Sequence, residues 1–497
     1  MLPIDHFYRA VATYPERIAV KDGDIEINYA ALGKSVSALA AALQDIEPDP
    51  QTRVGICAYN TRDHLIAWLA TFAAGKTWVP LNPRNGRDEL SRICGVTNPT
   101  IVFIADDCTD KLDAPDGAVC ISDLSALIQE NQGRTPVRHE LNLDDVQAIK
   151  FTGGSSGQPK GCVQTYRVWN TCVASMLHEF GFDQDDKNLL AAPMTHGTNT
   201  LIMPTFAVGG CQVFMGPAKP AAILDAFEKE RITSVFVPPT VIYMMLEEQG
   251  LEGRDFSSLR HLIVGGAAIR KDEVPRAMKV FNNALETCYG QTEAPQIAIC
   301  LRAKDWMDPE NAASTGRATV LTRVETMDTD GNVLPRGETG EIVLKGDLVM
   351  KGYLDMPDKT AETIIDGWLH TGDVGVIDER GFVFIKDRIR DVVITGGFNV
   401  YPSDVEAVLG LHPDVTECVV FGLPDRKWGE ALMAAVEVRD GANVSGEDII
   451  TFIRERLDGV KTPKAVHIVD ELPRSPVGKV LRREAKVMFA EDGETVA

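Results

Sequence analysis

Between about residues 210 and 293, short apolar runs alternate with segments that have the periodicity of amphipathic helices. The runs CQVF, TSVFV, LRHLIV and ALETCY read as strands, and helical patterns cover residues 221–230, 241–249 and 271–281. This alternation predicts a largely parallel, doubly wound α/β sheet, and IVFIAD at 101–106 extends the same character into the earlier half of the chain. Such sheets bind ligands at the carboxyl ends of their strands, where VPPT (237–240) and VGGAA (264–268) lie.

A loop rich in glycine and serine, FTGGSSGQPKG (151–161), lies between two regular elements. The preceding residues VQAIKF read as a strand, and Thr165 is a candidate N-cap for a helix that runs to about Phe180. Loops of this kind wrap backbone N–H groups and an ammonium around phosphate oxygens. The match to the P-loop is poor, since Pro159 precedes the lysine, Gly161 replaces the Ser/Thr, and residues 162–164 read as extended. We therefore expect a hairpin over a triphosphate, with a plain glycine-rich turn as the alternative.

The composition of the chain narrows the classes of function that it can have. With 497 residues the chain is long enough for two or more domains. Its 50 Lys and Arg against 72 Asp and Glu give a net charge of −22, and the absence of a basic run argues against a nucleic-acid or anionic-membrane partner. The ten cysteines have no metal-ligand spacing, which favours free thiols and a cytoplasmic location.

Residues 189–218 contain no Lys, Arg, Asp or Glu. Pro193, Pro204 and the pair Gly209-Gly210 interrupt this stretch too often for a membrane span, so we expect a buried wall instead. The first twenty residues lack a basic region followed by an apolar core, and no signal peptide is predicted.

The pattern of predicted secondary structure changes twice towards the C-terminus. Short strands and turns begin near Arg302 and predict a small β-rich subdomain at about 302–388. A second change near 386–397 precedes about 100 residues of mixed strands and helices. The predicted organisation is a large N-terminal domain of doubly wound sheets with the β-rich subdomain, 1–388, followed by a small α+β domain, 389–497, that moves about a hinge.

Four further motifs follow the glycine-rich loop in order: YGQTEA (289–294), HTGDVG (370–375), DRIRDVVITGGFNVYPSDVE (387–406) and PRSPVGKVLRRE (473–484). Together the five resemble the motif set of the adenylate-forming superfamily, which includes acyl-CoA synthetases, firefly luciferases and nonribosomal adenylation domains. The resemblance implies ATP, Mg²⁺ and coenzyme A as cofactors or cosubstrates. The implied partners are these molecules and a small carboxylic acid, and a homodimer is a candidate for the oligomeric state.

The resemblance also assigns roles residue by residue. Lys160, Glu293, His196 and Lys479 are the implied catalytic residues, with Glu293 as the Mg²⁺ ligand and Lys479 reaching the α-phosphate from the small domain. The implied nucleotide and coenzyme A contacts are Thr152, Ser155, Ser156, Gly157 and Lys160 at the phosphates, Gly266, Ala267, Tyr289, Gly290 and Gln291 at the adenine, Thr292 at the α-phosphate, Asp373, Arg388 and Asn399 at the ribose, and Gly396 and Gly397 at the pantetheine channel. The implied acyl pocket comprises His196, Gly197, Thr198, Val237, Gly265 and Gly290, and Arg390 is the implied hinge.

Three positions depart from the family pattern: Gly153 lacks a hydroxyl that the family loop usually carries, Tyr166 stands where histidine is common, and Arg390 replaces the usual Asp or Lys. None of them removes a charge that the reaction needs. Joining a carboxylate to ATP brings two anions together, so the transition state requires positive charge and no side-chain nucleophile.

Three functions are compatible with the motifs. The leading interpretation is a free-standing acyl-CoA ligase for an uncharged aliphatic or aromatic monocarboxylate, because residues 189–218 hold no acidic side chain that could pair with the ammonium of an amino acid. The alternative is an adenylation enzyme that loads an acyl group onto a separate carrier protein. A nucleotide-binding regulatory protein without turnover is less compatible, since binding alone does not require a lysine delivered by a second domain.

Overall fold

The computed structural model of the protein describes residues 1–113, 115–152, 160–439, 441–474 and 480–491. Its helices, in chain order, are α1 (Pro3–Thr13), α2 (Tyr29–Ile46), α3 (Arg62–Ala73), α4 (Arg87–Thr97), α5 (Leu124–Glu130), α6 (Tyr166–Phe180), α7 (Asn199–Ala207), α8 (Pro220–Lys229), α9 (Pro239–Leu246), α10 (Val274–Val280), α11 (Pro357–Thr363), α12 (Pro402–Leu409), α13 (Gly446–Arg454) and α14 (Arg482–Glu491).

The strands, in chain order, are β1 (Ile18–Asp22), β2 (Ile25–Asn28), β3 (Arg53–Cys57), β4 (Thr77–Leu81), β5 (Ile101–Ile104), β6 (Val119–Ile121), β7 (Val146–Phe151), β8 (Gly161–Thr165), β9 (Lys187–Leu189), β10 (Cys211–Phe214), β11 (Ser234–Val237), β12 (His261–Val264), β13 (Leu285–Gln291), β14 (Ala294–Leu301), β15 (Arg317–Ala318), β16 (Thr322–Met327), β17 (Thr339–Gly346), β18 (Gly352–Tyr353), β19 (Ile364–Ile365), β20 (Trp368–Ile377), β21 (Val383–Arg388), β22 (Val393–Thr395), β23 (Phe398–Val400), β24 (Val415–Asp425), β25 (Gly429–Val438) and β26 (Ala465–Val469).

The first large sheet contains the region whose alternating pattern predicted a doubly wound fold. Its strand order is β15-β14-β13-β12-β11-β9-β10-β1-β2, and the pairs from β13 through to β1 are parallel. Helices α8, α9 and α10 connect its successive strands. The predicted α/β class is therefore confirmed, and the carboxyl ends of β11 and β12 lie at the same edge of this sheet.

The second large sheet carries the glycine-rich loop. Its order is β18-β8-β7-β4-β3-β5-β6, with parallel pairing from β6 to β7 and antiparallel pairing of β8 with both β7 and β18. Strands β7 and β8 therefore form the hairpin that the sequence predicted around residues 152–160. Aromatic rings of Trp68, Phe72, Trp78 and Trp169 pack against one another in the buried core beside it, with centroids 4.8–6.5 Å apart.

Two smaller sheets follow. One has the order β16-β17-β20-β19 with β21 against β20, as expected for a β-rich subdomain, and the other has the order β23-β22-β25-β24 with β26 against β25. Helices α12 and α13 pack on the last sheet around a core that includes Val393, Val405, Leu432 and Ile449. The C-terminal region therefore has the α+β character that the sequence predicted.

By its internal contacts the chain divides into two compact units. The first comprises Met1–Ala268, Pro275–Val324 and Leu344–Leu369, and the second comprises Ile269–Val274, Glu325–Val343 and His370–Ala497. The boundary that the sequence places between residues 388 and 389 is untested and stays a prediction.

The uncharged stretch 189–218 is a wall of the first unit. Helix α7 lies within it, every residue of this helix is buried, and Pro204 is accommodated inside the helix. None of the helices in the described part of the chain combines the length and the apolar character that crossing a membrane requires.

Candidate active site

The turn between β13 and β14 carries Thr292 and Glu293, and contacts from two other segments fix it. Nε2 of Gln164 donates to the carbonyl oxygen of Thr292 at 2.8 Å, and the backbone N–H of Met350 donates to the carbonyl oxygen of Glu293 at 2.7 Å. Gly290 must lack a side chain, because a Cβ there would lie 2.4 Å from the backbone nitrogen of Gln296. The backbone therefore sets the position of the predicted metal ligand.

Tyr353 lies between the two charged residues of this site, and the sequence analysis did not identify it. Its hydroxyl donates to Oε1 of Glu293 at 2.6 Å, and Nζ of Lys160 donates to the same hydroxyl at 3.1 Å. The Lys160 ammonium also lies 4.3 Å from the centroid of the tyrosine ring. Burial and the negative charge of Glu293 raise the pKa of Tyr353, so the phenol stays protonated. The structure thus brings together Lys160 and Glu293, which lie 133 positions apart in the sequence.

The ends of the glycine-rich loop are held as a hairpin. Phe151 pairs with Gly161 across β7 and β8, and the N–H of Thr152 donates to the carbonyl oxygen of Lys160 at 3.1 Å. Among the described residues, Oγ1 of Thr152 is buried and has no hydrogen-bond partner. The predicted phosphate contacts Ser155, Ser156 and Gly157 lie outside the described residues, and so does Lys479.

Three predicted acyl-pocket glycines come from separate segments and approach two residues, Phe236 and Gln296. A Cβ on Gly197 would lie 2.6 Å from Oε1 of Gln296 and 2.8 Å from the ring of Phe236, and a Cβ on Gly265 would lie 2.8 Å from the same ring. Gly290 approaches the backbone of Gln296, as described above. Phe236 and Gln296 therefore contact the segments of the predicted acyl pocket, although the sequence analysis named neither as a site residue.

Two further predicted pocket residues, Val237 and Thr198, are sequence neighbours of Phe236 and Gly197. Val237 ends β11 beside Phe236 and is buried. Thr198 is buried, and among the described residues its Oγ1 has no hydrogen-bond partner. Gln296 has a left-handed backbone with φ of 62°, which is uncommon for a residue other than glycine and frequently marks a functional site.

His196 belongs to the uncharged stretch 189–218. Nδ1 of its ring is 3.0 Å from Oγ1 of Thr195. The residue is exposed to water, yet surrounding protein atoms and then the charges of Lys150 and Arg84 lower its pKa to about 4. Its imidazole is therefore neutral at physiological pH, which suits contact with an uncharged acyl group better than contact with an anion.

Lys150 is a buried cation that the sequence analysis passed over inside the strand VQAIKF. It is 9% exposed, and Nζ donates to the carbonyl oxygen of His196 at 3.3 Å. The ammonium lies 5.7 Å from the ring centroid of Trp78 and 6.0 Å from that of Trp169. Among the described residues it forms no ion pair with a carboxylate, and burial lowers its pKa to about 8. The sequence signal for this buried cation was a lysine in a strand that is otherwise mostly apolar.

Replacing Lys150 with Met is expected to stabilise the protein at pH 7. The folded pKa of about 8 lies below the ordinary value of 10.5, so keeping Lys150 charged costs about 3 kcal/mol in the folded state. The substitution recovers this free energy minus the contribution of the hydrogen bond that it removes. Between pH 8 and 10.5 the unfolded chain binds the extra proton, so the wild type gains stability as pH rises through this window. Melting curves should therefore show a higher Tm for Lys150→Met at pH 7 and a smaller difference at pH 9.5.

The exposed Lys279 provides the matched control, because Lys279→Met removes a lysine that is already hydrated. A Lys150→Met variant that is less stable than wild type by the same amount at both pH values would show that the ammonium is a net stabilising group.

The predicted adenine residues lie at the carboxyl ends of strands in the first unit. Gly266 and Ala267 follow β12 and are exposed, and Gly266 has a left-handed backbone with φ of 84°. Nε2 of Gln291 donates to the hydroxyl of Tyr289 at 3.3 Å. Val264 pairs with Thr287 across β12 and β13, so Gly266 and Tyr289 each lie two residues beyond this pair. Exposed backbone at such a strand end is an arrangement that can accept a planar base.

The predicted ribose residues belong to the second unit. Asp373 and Arg388 are cross-strand partners in β20 and β21, and Nε of Arg388 lies 2.6 Å from Oδ1 of Asp373. Asp373 is almost fully buried, whereas Asn399 is exposed on β23. The structure thus brings Asp373 and Arg388 together, and their contact with a ribose stays a prediction.

Gly396 and Gly397 form the two-residue turn between β22 and β23. Their φ values are 60° and 84°, the left-handed conformation that such hairpin turns require. Turn geometry is therefore a sufficient reason for both glycines. Their predicted position beside a pantetheine channel remains untested.

Arg390 lies in a short 3₁₀ turn, Ile389–Asp391, whose flanks are tied to α14. The guanidinium of Arg482 contacts Oδ1 of Asp387 at 3.0 Å, Oδ2 of Asp391 at 3.1 Å and both oxygens of Glu406 at 2.8 Å. The segment that follows Lys479 is therefore anchored to both sides of the predicted hinge. The pivot role of Arg390 stays a prediction.

Comparison with known proteins identifies the family. Residues 7–354 match the model of the AMP-binding enzyme family, and residues 404–479 match that of the AMP-binding enzyme C-terminal domain. A feruloyl-CoA synthase of Amycolatopsis sp is 34% identical over 96% of both chains, and a medium/long-chain fatty acid–CoA ligase of Mycobacterium tuberculosis is 31% identical over 94% of this chain and 87% of that protein.

A solved structure agrees over the whole length. The crystal structure of ATP-bound MatB from Rhodopseudomonas palustris matches with a TM-score of 0.89 and 27% identity, covering 99% of this chain and 100% of that one. The resemblance inferred from the five motifs and the expected fold are both confirmed. The chain belongs to the AMP-binding enzyme family, the adenylate-forming enzymes that include the AMP-forming acid–CoA ligases.

Proposed function

We propose that the protein is an AMP-forming carboxylic acid–CoA ligase. It joins an acid to the α-phosphate of ATP, releases pyrophosphate, and transfers the acyl group of the acyl-adenylate to the thiol of coenzyme A. The observation that carries the proposal is the arrangement of Lys160, Tyr353 and Glu293 beside the loop hairpin, in a chain whose curated relatives are acid–CoA ligases.

The first half-reaction needs positive charge around the triphosphate, and the chain offers it at two places. Lys160 presents an ammonium at the end of the loop hairpin. Among the described residues, Glu293 accepts a hydrogen bond on Oε1 alone, so Oε2 is available to a hard cation. Glu293 therefore fits Mg²⁺, and the bound ion supplies charge that stabilises the phosphate oxygens.

The acid in this proposal is a monocarboxylate that carries no charge other than its reacting carboxylate. Phe236, Val237 and the two glycines that approach Phe236, Gly197 and Gly265, form an apolar wall for the proposed pocket. Glu286, the buried carboxylate in this part of the chain, is already paired with Nε of Arg302 at 2.8 Å and Nδ1 of His261 at 2.9 Å. A second carboxylate on the acid would face this apolar wall, and an ammonium would find Glu286 already paired, so either charge would be costly to bury. The names of the relatives include both an aromatic acid and fatty acids.

The test is a pyrophosphate-release assay over a panel of aliphatic and aromatic acids, with malonate and amino acids included, run with and without coenzyme A. We expect turnover of an uncharged monocarboxylate that depends on coenzyme A, with the thioester detected by mass. Turnover that requires a carrier protein instead of coenzyme A would show that the carrier protein is the acyl acceptor. A preference for malonate or an amino acid would contradict the proposed substrate class.

The proposal places the enzyme in the cytoplasm, as expected for a chain with ten free thiols.

A further inference from the structure

Tyr353 belongs to a short segment that ties the two charged elements of the site together. Strand β18 pairs with β8, so Tyr353 lies opposite Cys162, two residues after Lys160. The backbone N–H of Leu354 donates to the carbonyl oxygen of Gly161 at 2.7 Å, and that of Met350 donates to the carbonyl oxygen of Glu293. The tyrosine is 6% exposed, so its ring has little freedom to move.

The hydroxyl of Tyr353 separates a cation from an anion. Among the described residues, Lys160 and Glu293 form no direct ion pair, and the phenol bridges them by accepting from the ammonium and donating to the carboxylate. A direct ion pair would use the positive charge that a phosphate needs and the carboxylate that a metal needs. A neutral bridge leaves both charges available to a ligand.

We infer that Tyr353 is a positioning residue for the metal–nucleotide complex. Its hydroxyl fixes one oxygen of Glu293 so that the other oxygen can bind the metal, and it keeps Lys160 apart from Glu293. This inference rests on the proposed function, since it assigns Lys160 to phosphate and Glu293 to the metal. Groups that hold a metal ligand in place in this way typically contribute a factor of about 10–100 in metal affinity.

Tyr353→Phe tests the role, because it removes the hydroxyl and keeps the buried ring. Mn²⁺ binding in the presence of a non-hydrolysable ATP analogue is measured by electron paramagnetic resonance of the free ion. We expect binding about tenfold weaker than in wild type. We also expect a higher Mg²⁺ concentration for half-maximal pyrophosphate release, with kcat largely restored when Mg²⁺ is saturating.

Tyr166→Phe is the matched control. Tyr166 is another buried tyrosine of the first unit, and its hydroxyl meets Gln51 instead of a charged group. This variant should bind Mn²⁺ like wild type. In the Glu293→Gln background, Tyr353→Phe should cause no further loss of Mn²⁺ affinity, because the hydroxyl acts through that carboxylate.

Unchanged Mn²⁺ affinity in Tyr353→Phe would overturn the inference even if turnover fell, and so would a wild type that binds no Mn²⁺–nucleotide. The binding measurement needs neither the acid nor coenzyme A. A wild type that forms no thioester would therefore refute the proposed function while the Mn²⁺ comparison still decided the role of Tyr353.

Discussion

Glu293→Gln is expected to slow pyrophosphate release by roughly 10²–10³-fold, the loss typical of removing one charge-stabilising group from a transition state. The amide keeps the size of the side chain and can still meet the hydroxyl of Tyr353, but it cannot offer an anionic oxygen to Mg²⁺. The backbone of the turn is fixed by Gln164 and Met350, so the substitution should leave the fold intact. Single-turnover pyrophosphate release at saturating ATP and acid measures the effect.

The control for this prediction is Glu252→Gln, which makes the same chemical change at an exposed position of the first unit. It should release pyrophosphate at the wild-type rate, and the melting temperatures of both variants should match that of wild type. Wild-type rates in Glu293→Gln at limiting Mg²⁺ would show that Glu293 is not the metal ligand.

Lys479→Ala is expected to slow adenylation by a similar factor of roughly 10²–10³ while sparing thioester formation from preformed acyl-adenylate. Lys479 lies outside the described residues, and the expectation comes from the ammonium that the family motif offers to the α-phosphate. Phosphoryl-transfer chemistry depends on charge placed around the phosphate, whereas thiol attack on the acyl carbon does not need charge at that position. Measuring the two half-reactions separately shows which one is affected.

A variant at Gly397 should show the opposite pattern if the turn borders the pantetheine channel. Leucine is unsuitable there, because the left-handed backbone at φ of 84° would be strained by its side chain. Asparagine tolerates that conformation, and a Cβ at Gly397 would meet no atom of the described residues within 4 Å. Gly397→Asn should therefore keep adenylation and slow thioester formation.

Gly381→Asn is the matched control for this turn variant. Gly381 belongs to the second unit and has a φ of 82°, and in the part of the chain that the structure describes no atom lies within 4 Å of a Cβ at that position. This variant should leave both half-reactions unchanged. Equal slowing of both steps in Gly397→Asn, together with a lower melting temperature, would show that Gly397 serves only the turn.

Local patterns in the sequence predicted the fold well where hydrophobic periodicity and turn residues agree. The strand VQAIKF, the extended segment after Lys160 and the helix capped by Thr165 are all present, and Oγ1 of Thr165 accepts from the N–H of Val168 at 3.4 Å. Helix ends were less accurate: α10 begins at Val274, three residues after the predicted start. Residues 271–273 form a turn instead, and Arg270 donates to Oε1 of Glu273 at 3.1 Å.

The residues that the sequence analysis missed act through long-range contacts. Tyr353 lies 60 positions from Glu293 and 193 from Lys160, so no local pattern relates them. Phe236 and Gln296 became visible only when three glycines from different segments approached them. Arg482 is part of a quoted motif, but its three carboxylate partners lie between 76 and 95 positions away.

The proposed reaction activates the acid through attack of its own carboxylate oxygen on the α-phosphorus of ATP. An acid labelled with ¹⁸O in both carboxylate oxygens tests this directly when it is incubated with ATP, Mg²⁺, coenzyme A and the enzyme. One labelled oxygen forms the bond to phosphorus and leaves with AMP when the thiol attacks the acyl carbon, and the other remains in the thioester. We expect one ¹⁸O in AMP and none in pyrophosphate. Unlabelled AMP, or ADP as the product, would contradict it.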